Sequence, residues 1–570
     1  MPEYLTPGVY FERQDLAPPL IQRLRTDIAG FVGLAERGSL HTPVQVNSWR
    51  QFQSEYGNFV PYSFLAYAVK GFFENGGRTC FVVRVAGANA IQAHLTLTAR
   101  NGSDVLQLTA VNEGQWGNRI AATIPQVRPN PARFALVVTR DRLEQEFFTN
   151  LSLEPESDHY FATVINQGNE RTAPSRWVTA ADLIPSDQPR TADWLPDLTA
   201  ANLTRRTGSL SGGQDGLADL ILDDFLGTTD PLAADRKGLS AFDQVDAISI
   251  VCIPDIHIQP LQLPPPAPPV PPPPRDPCLC PTAEVPTAAP LPTPFPEQPP
   301  TFSLAEIQIV QQALIEHCER QGDRVAILQV PVQEGSGEPF TLAEVRDWRS
   351  QFESERGFAA LYHPWVEVLD PLPMAPRLNR AIPPCGHIAG LYARLDLSVG
   401  VHKAPANGKL FWATDLTSQI NDAEQGVLNP EGINCLRAFP GRGIRVYGAR
   451  TLSSRADWRY INIRRLMSMI EEAVDESTQW AVFESHTRRL RQQLILSISG
   501  FLERLWQQGA LSGANPAEAF FIRCDETNNP PAVVDAGQII TEVGVAPTFP
   551  AEFVIFRMGR TVAELEIVER

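Results

Sequence analysis

Two stripes of apolar residues late in the chain set the frame for everything before them. Ile463, Leu466, Ile470 and Val474 recur at three- and four-residue spacing, and so do Leu490, Leu494, Ile498, Phe501 and Leu505. Each spacing puts its members on one face of a helix, and the second helix is predicted to begin near Thr487. Ahead of them, Ile433 to Phe439 and Gly443 to Leu452 are strand-like runs separated by Pro440, Gly441 and Arg442, which predicts a hairpin.

The amino-terminal part shows the same punctuation. Ile28 to Leu34 reads as a buried strand, and Ser48 with Gln51 forms a capping box for a short helix that stops at Gly57. Leu65, Val69, Phe72 and Phe73 stripe a helix that ends at Asn75, Gly76 and Gly77, before the strand TCFVVRV. From Ala90 to about Arg206 the period changes to two, as in HLTLTA and RFALVVTR, which predicts a β-rich unit. Ala247 to Pro254 is a continuous apolar run suited to a strand buried on both faces. Ser303 with Glu306 caps a helix striped by Ile307, Val310, Leu314 and Cys318, and RVAILQV follows. Thr341 with Glu344 caps another helix, expected to end near Gly357, before the strand FAALYH. This alternation predicts a parallel α/β unit. Gln538 to Ala546 and Glu552 to Met558 read as further strands.

Three segments fit none of these periods. Residues 1–27 hold Pro2, Pro7, Pro18 and Pro19 and read as extended chain. A loose terminus would suit that, but Val9, Tyr10, Phe11, Leu20 and Ile21 are apolar in a way a solvated tail does not require. A stretch too short for its own core and this apolar suggests strand addition to another subunit's sheet. The final TVAELEIVER, with Leu565 and Ile567, is a second such arm. Residues 259–300 carry 19 of the 51 prolines and four charged residues, a composition that favours polyproline II and predicts a projecting surface loop.

Composition then narrows the classes. A chain of 570 residues exceeds one core, so three or four packed units are expected. A net charge of −17 argues against general nucleic-acid binding. The start MPEYLTPGVYFERQD lacks a basic-then-apolar leader, and no apolar run reaches the length of a membrane span. A soluble protein made in a cytoplasm, without membrane insertion, is the expectation. Eight scattered cysteines do not make a disulfide framework; a metal clip at Cys278 and Cys280 lacks a second pair or nearby histidines. LSGGQDG at Leu210 to Gly216 begins like the signature loop of ABC-type ATPases, yet no Walker A loop accompanies it, so a glycine-rich turn is expected. Glu144, Glu146 and Glu154 read as solvated strand positions, and the α/β unit shows no G-x-S-x-G, H-E-x-x-H or dinucleotide fingerprint. The residues therefore point to no catalytic, cofactor or metal site. Arg488, Arg489 and Arg491 open the second helix, where positive charge opposes the helix dipole and requires solvent or an acidic partner.

Several segments, in order, resemble contractile tail sheath proteins of phages, R-type pyocins and related injection systems. They are PGVY, IAGFVGLAERG and FFENGGRTCFVVRV near the start, then GQWGNRI and EQEFFTNLSLEP in the β-rich unit. INCLRAFPGRGIRVYGARTL, DWRYINIRRL, GALSG and AFFIRCDETNN complete the series. The resemblance implies an α/β and α+β multidomain chain whose two ends build one core domain. The expected divisions are an arm at 1–27, core at 28–89, a β-rich insertion at 90–206, an α/β insertion at 207–390, core at 391–547 and an arm at 548–570. It implies a structural subunit, not an enzyme, that forms hexameric rings stacked into a helical sleeve. The implied partners are further copies, an inner tube protein, and baseplate and terminal cap proteins, assembled in a bacterial cytoplasm. Val9, Tyr10, Phe11, Leu565 and Ile567 would anchor the arms, and Arg488, Arg489 and Arg491 would face the tube. An enzyme built on the α/β unit, or a capsid-like scaffold, are the competing classes.

Overall fold

A computed structural model describes residues 21–99, 102–125, 133–141, 144–196, 207–228, 230, 236–258, 297–372 and 378–552. The first strand, β1 (Ala29–Gly33), is buried at all five positions. It is followed by β2 (Val44–Val46), α1 (Trp49–Tyr56), α2 (Leu65–Glu74) and β3 (Cys80–Arg84). Ser48 caps α1 by accepting the Gln51 N–H at 3.1 Å, but the return bond from the Gln51 side chain goes to the Asn47 N–H at 2.9 Å, so the expected box closes one residue early.

The chain then leaves this layer for a body with its own core, around Trp116, Phe134, Phe148, Phe161 and Trp177. Its strands are β4 (His94–Thr98), β5 (Asp104–Ala110), β6 (Ile120–Thr123), β7 (Phe134–Arg140), β8 (Glu144–Leu151), β9 (Val178–Asp182) and β10 (Thr207–Ser209), with α3 (Phe161–Asn166) after β8. They form two antiparallel sheets, β4–β5–β9 and β10–β6–β7–β8. Phe134, Leu136 and Val138 point inward on β7 while the residues between them are half-buried, the period of two that the sequence shows. LSGGQDG is the return strand of the neck rather than a simple turn. Ile91 and His94 donate backbone N–H groups to Gln214 and Ser211 at 3.0 and 2.9 Å, and Gly87 donates to Gly216 at 3.1 Å. Gly212 and Gly216 sit at positive φ there, +83° and +66°, where a side chain would be strained.

Back in the first layer come α4 (Leu222–Leu226), β11 (Ile250–Cys252), α5 (Leu304–Gln321), β12 (Val325–Gln329), α6 (Leu342–Ser350) and β13 (Ala359–His363). Both expected capping boxes are present, at Ser303 with Glu306 and Thr341 with Glu344. Helix α6 stops at Ser350, short of Gly357, which instead closes a separate turn by donating to Ser354 O at 3.0 Å. A small antiparallel sheet of β14 (Val366–Leu369), β15 (Asn379–Ile382) and β16 (Asp415–Leu416) lies beside α7 (Cys385–Ser398). After α8 (Asp422–Leu428) comes the predicted hairpin, β17 (Ile433–Phe439) and β18 (Gly443–Tyr447). Strand β18 ends before Leu452 because Asn434 takes over the pairing, its side-chain amide bonding both the N–H and the carbonyl of Arg450 at 2.7 Å.

The eight-stranded sheet runs β18–β17–β13–β12–β11–β1–β3–β2. Strands from the segments 28–89, 207–390 and 391–547 thus share one sheet, because β1 pairs in parallel with β3 on one edge and with β11 on the other. Helices α2 and α7 cross closely over it, and a Cβ on Gly386 or Gly390 would run into the backbone of Ala68 or Phe72.

A second, smaller core is built by the two predicted helices, α9 (Ile461–Thr478) and α10 (Arg488–Gln507), with β19 (Phe520–Arg523) and β20 (Glu542–Val545). Ile463, Leu466, Ile470, Leu490, Leu494, Ile498, Phe501 and Leu505 are all buried, whereas Val474 is half-buried. One buried ion pair joins this layer to the sheet. Arg465 donates to both oxygens of Asp396 on α7 at 3.1 and 2.5 Å and to the Thr26 carbonyl at 2.7 Å, while the Thr26 hydroxyl donates to Asp396 at 2.7 Å. Burial pushes the Asp396 carboxyl above its usual range although Arg465 opposes it. Replacing Arg465→Met would leave that carboxyl buried without its cation. We expect a loss of about 3–5 kcal/mol, read as a lower urea midpoint of the full chain; a loss below about 1 kcal/mol would refute the role given to the pair.

Candidate assembly surface

The second layer carries an open-edged ribbon and an exposed apolar turn. Strands β19 and β20 form a sheet of two four-residue strands, joined by Phe520 opposite Val545 and Arg523 opposite Glu542. A ribbon of that size is marginal alone. It rests on α10 and on the bridge between Leu511 and Pro547, and each strand keeps one edge with no strand against it among the described residues. Phe521 is more than half exposed, and Ile540 and Val543 are also exposed.

The turn between α9 and α10 is a second such feature. Thr487 caps α10 by accepting the Leu490 N–H at 3.2 Å. Arg488 and Arg489 are exposed on its first turn and Arg491 is half-buried; among the described residues none of the three guanidiniums has a carboxylate within ion-pairing distance. Just before them, Val482 is exposed and Phe483 is fully exposed at φ +65°. QWAVF lies between two helical stripes in the sequence, and an apolar run in a polar turn is the signal that could have flagged it.

The first and last described residues are both anchored to the body. Residues 21–27 have no regular structure but are held firmly: Ile21 is buried among Leu466, Phe501 and Leu505, and its carbonyl accepts from Arg504 at 2.6 Å. At the other end Glu552 accepts two hydrogen bonds from Arg450, at 3.0 and 2.6 Å. Burial would raise the Glu552 carboxyl, but Arg450 holds it below its ordinary range. The expected arm anchors Val9, Tyr10, Phe11, Leu565 and Ile567 lie outside the described residues, as do Cys278, Cys280 and residues 259–296 of the proline-rich loop.

The sheet layer offers little reactive chemistry. His257, His317, His363 and His387 are buried, and burial lowers each to about 3 or 4, so they stay neutral. Six described cysteines are buried free thiols. Glu146 serves structure, accepting from the Ser175 hydroxyl at 2.6 Å and from Arg176. No helix of the described residues is long and apolar enough to cross a membrane.

Comparison with known families decides among these readings. Residues 301–452 match the phage tail sheath protein central domain, and residues 453–561 match the phage tail sheath C-terminal domain. The chain belongs to the contractile tail sheath family. Its relatives include the tail sheath protein of Vibrio phage KVP40, 27% identical over 34% of this chain and 28% of that protein. That of Salmonella phage ViI is 25% identical over 47% of this chain and 42% of that protein. That of Burkholderia phage BcepMu is 30% identical over 33% of this chain and 40% of that protein. The chain therefore spans less than half the length of these relatives. Its fold is similar over almost its whole length to the sheath of an extracellular contractile injection system (PVC) in the contracted state, with a TM-score of 0.53 at 19% identity, covering 99% of each chain. The sheath tail protein of Listeria innocua gives 0.54 at 11% identity, covering 92% of this chain and 96% of that one.

In this sheath chain α9 also carries crowded acid. Glu471 pairs with the buried Arg464 at 3.0 Å. The Glu472 carboxyl is pushed up to about 7, first by burial and then by Asp323, Glu476 and Asp246. An acid raised in the folded state contributes stability while protonated. That contribution is complete below the unfolded value of about 4.3 and is lost as pH rises through about 7. Glu472→Gln should therefore raise stability at pH 8 by about 1–2 kcal/mol after solvent screening and leave it unchanged below pH ~4.5. Thermal melts of both proteins across this range check it, and equal slopes would refute it.

Proposed function

We propose that this chain is a sheath subunit that polymerises as stacked hexameric rings around an inner tube, and that the sleeve contracts to drive the tube through a target envelope. The observation that carries the reading is the open-edged ribbon of β19 and β20, which lies in the same layer as the buried ends of residues 21–27. Strands supplied by the arms of neighbouring copies would extend the ribbon on both edges, and main-chain hydrogen bonds would hold copies together while the globular bodies rotate. Val9, Tyr10, Phe11, Leu565 and Ile567 are the proposed inward anchors. Baseplate and terminal cap proteins would close the sleeve at its ends, with assembly in a bacterial cytoplasm. No step requires catalysis.

Arg488, Arg489 and Arg491 are the proposed contact with the tube, since three guanidiniums at a helix start with no carboxylate partner among the described residues favour an acidic surface.

Two experiments test these assignments. Full-length protein should form striated tubes or stacked rings in negative-stain electron microscopy, whereas a chain lacking residues 1–20 should stay a folded monomer; tubes of normal length from the truncation would remove the arm from the account. Reversing Arg488, Arg489 and Arg491 together to Glu should reduce co-assembly with the tube protein at least tenfold and spare sheath self-association. Unchanged tube binding would return the three to a solvated face.

A further inference from the structure

Two charge clusters on the described surface are left largely unneutralised by the other described residues. At the hairpin, Lys409, Arg442 and Arg445 gather around Asn407. Arg442 donates to the Asn407 side-chain oxygen at 2.9 Å and Arg445 to the Asn407 carbonyl at 2.6 Å, while the backbone of Lys409 bridges β18 opposite Arg445. The Lys409 ammonium lies 5.4 Å from the centre of the exposed Phe411 ring. The hydrogen bonds of the two arginines end on carbonyl and amide oxygens, and among the described residues none of the three cations has a carboxylate within ion-pairing distance. Arg437, on the paired strand, is already neutralised by Asp422 at 2.7 Å.

The second cluster is Asp246, Asp323, Glu472 and Glu476. Glu472 and Glu476 stand one turn apart on α9, a like-charge spacing that disfavours the helix. The nearby cation Arg324 is fully occupied: it donates to Asp323 at 2.6 and 2.7 Å and to the Phe242 and Val245 carbonyls at 3.0 and 3.3 Å. The crowding registers on Glu472, whose carboxyl is held near 7 by burial and by the other three acids.

Topology keeps the clusters apart. Asp246 and Asp323 come just before β11 and β12, at the amino ends of the parallel strands. Strand β17 runs on from Cys435, its last partner on β13, to Phe439, so the hairpin turn with Arg442 projects past the carboxyl end of β13. Two complementary surfaces at opposite ends of one rigid sheet cannot satisfy each other within a chain. They can between copies related by a head-to-tail step, the arrangement that builds open helical assemblies.

We propose that the hairpin cluster Lys409, Arg442 and Arg445 of one copy docks on the acidic cluster Asp246, Glu472 and Glu476 of the next. The proposal rests on the sheath-subunit reading and adds to the arms a charged contact between the globular bodies. Such a contact weakens as salt shortens the screening length below ~8 Å.

The test uses two full-length variants that change exposed residues. One carries Lys409→Glu and Arg442→Glu, the other Asp246→Lys and Glu476→Lys. Each alone should associate at least tenfold more weakly than the unaltered protein in sedimentation velocity at low salt, with an unchanged circular dichroism spectrum. Mixed one to one, they should associate again, because each then offers the charge the other lacks; a merely structural effect of the substitutions would not be rescued by mixing. Failure of the mixture to associate, or unaltered association by either variant, overturns the contact. Restored pairing without tubes would instead sink the sheath reading and keep the contact. Retention of a labelled duplex by the unaltered protein, lost with Lys409→Glu and Arg442→Glu, would assign the basic cluster to nucleic acid and overturn the proposal.

Discussion

The structure depends on one strand being paired on both edges. β1 sits between β3, about fifty residues ahead, and β11, more than two hundred residues ahead, in parallel register with both. All five of its positions are buried, and Gly30 lets Phe242 and Ile248 approach where a Cβ would meet the ring. The β-rich body must therefore leave and return at neighbouring points, which is what the two-strand neck at residues 87–94 and 211–216 does. Closing so long an excursion costs loop entropy only logarithmically in its length. Parallel strands buried on both faces then offset that cost through apolar burial.

The buried pair of Asp396 and Arg465 extends this constraint to the second layer. It fixes Thr26, and so the point where the amino-terminal segment departs, against both α7 and α9. Ion pairs of this kind add little net stability over an apolar isostere but penalise any misplacement of either partner. A subunit whose ends are proposed to reach neighbours needs those departure points fixed. Arg450 and Glu552 perform the same task at the other end, linking the residues after β18 to the last described position.

Much of this was legible in the sequence because periodicity and capping are local. The stripes of α9 and α10, the capping boxes of α5 and α6, the continuous run of β11 and the hairpin turn all depend on residues a few positions apart, and they stand where the spacing puts them. What could not be read is non-local. Nothing in residues 207–390 says that β11 will pair with β1 and merge the α/β unit into the sheet of the chain ends. Where a side chain from elsewhere in the chain replaced a local signal the boundary moved, as at Asn434, which ends β18 early; the turn from Ser354 to Gly357 is local, but it stands apart from α6, which has already ended. The candidate assembly surface was half legible: Arg488, Arg489 and Arg491 stand out as charges, whereas the apolar run holding Phe483 marks an unusual turn without saying that the turn leaves the ring fully exposed.

Net charge sharpens the physical problem of a polymer. Copies each carrying −17 repel one another at long range, and in a helical sleeve every body has several neighbours. Main-chain strand pairing is blind to that charge, so arms alone would tether bodies that still push apart. A body that gathers carboxylates at the amino ends of β11 and β12 and raises cations on a hairpin beyond the carboxyl end of β13 would, through the proposed contact, convert part of the repulsion into a directional attraction. The same crowding that makes Glu472 hard to ionise in an isolated chain would be relieved by a neighbour's arginines. On that argument the subunit would gain electrostatic stability on joining the proposed sleeve, and the like-charge crowding in α9 would be a cost borne by the free protein.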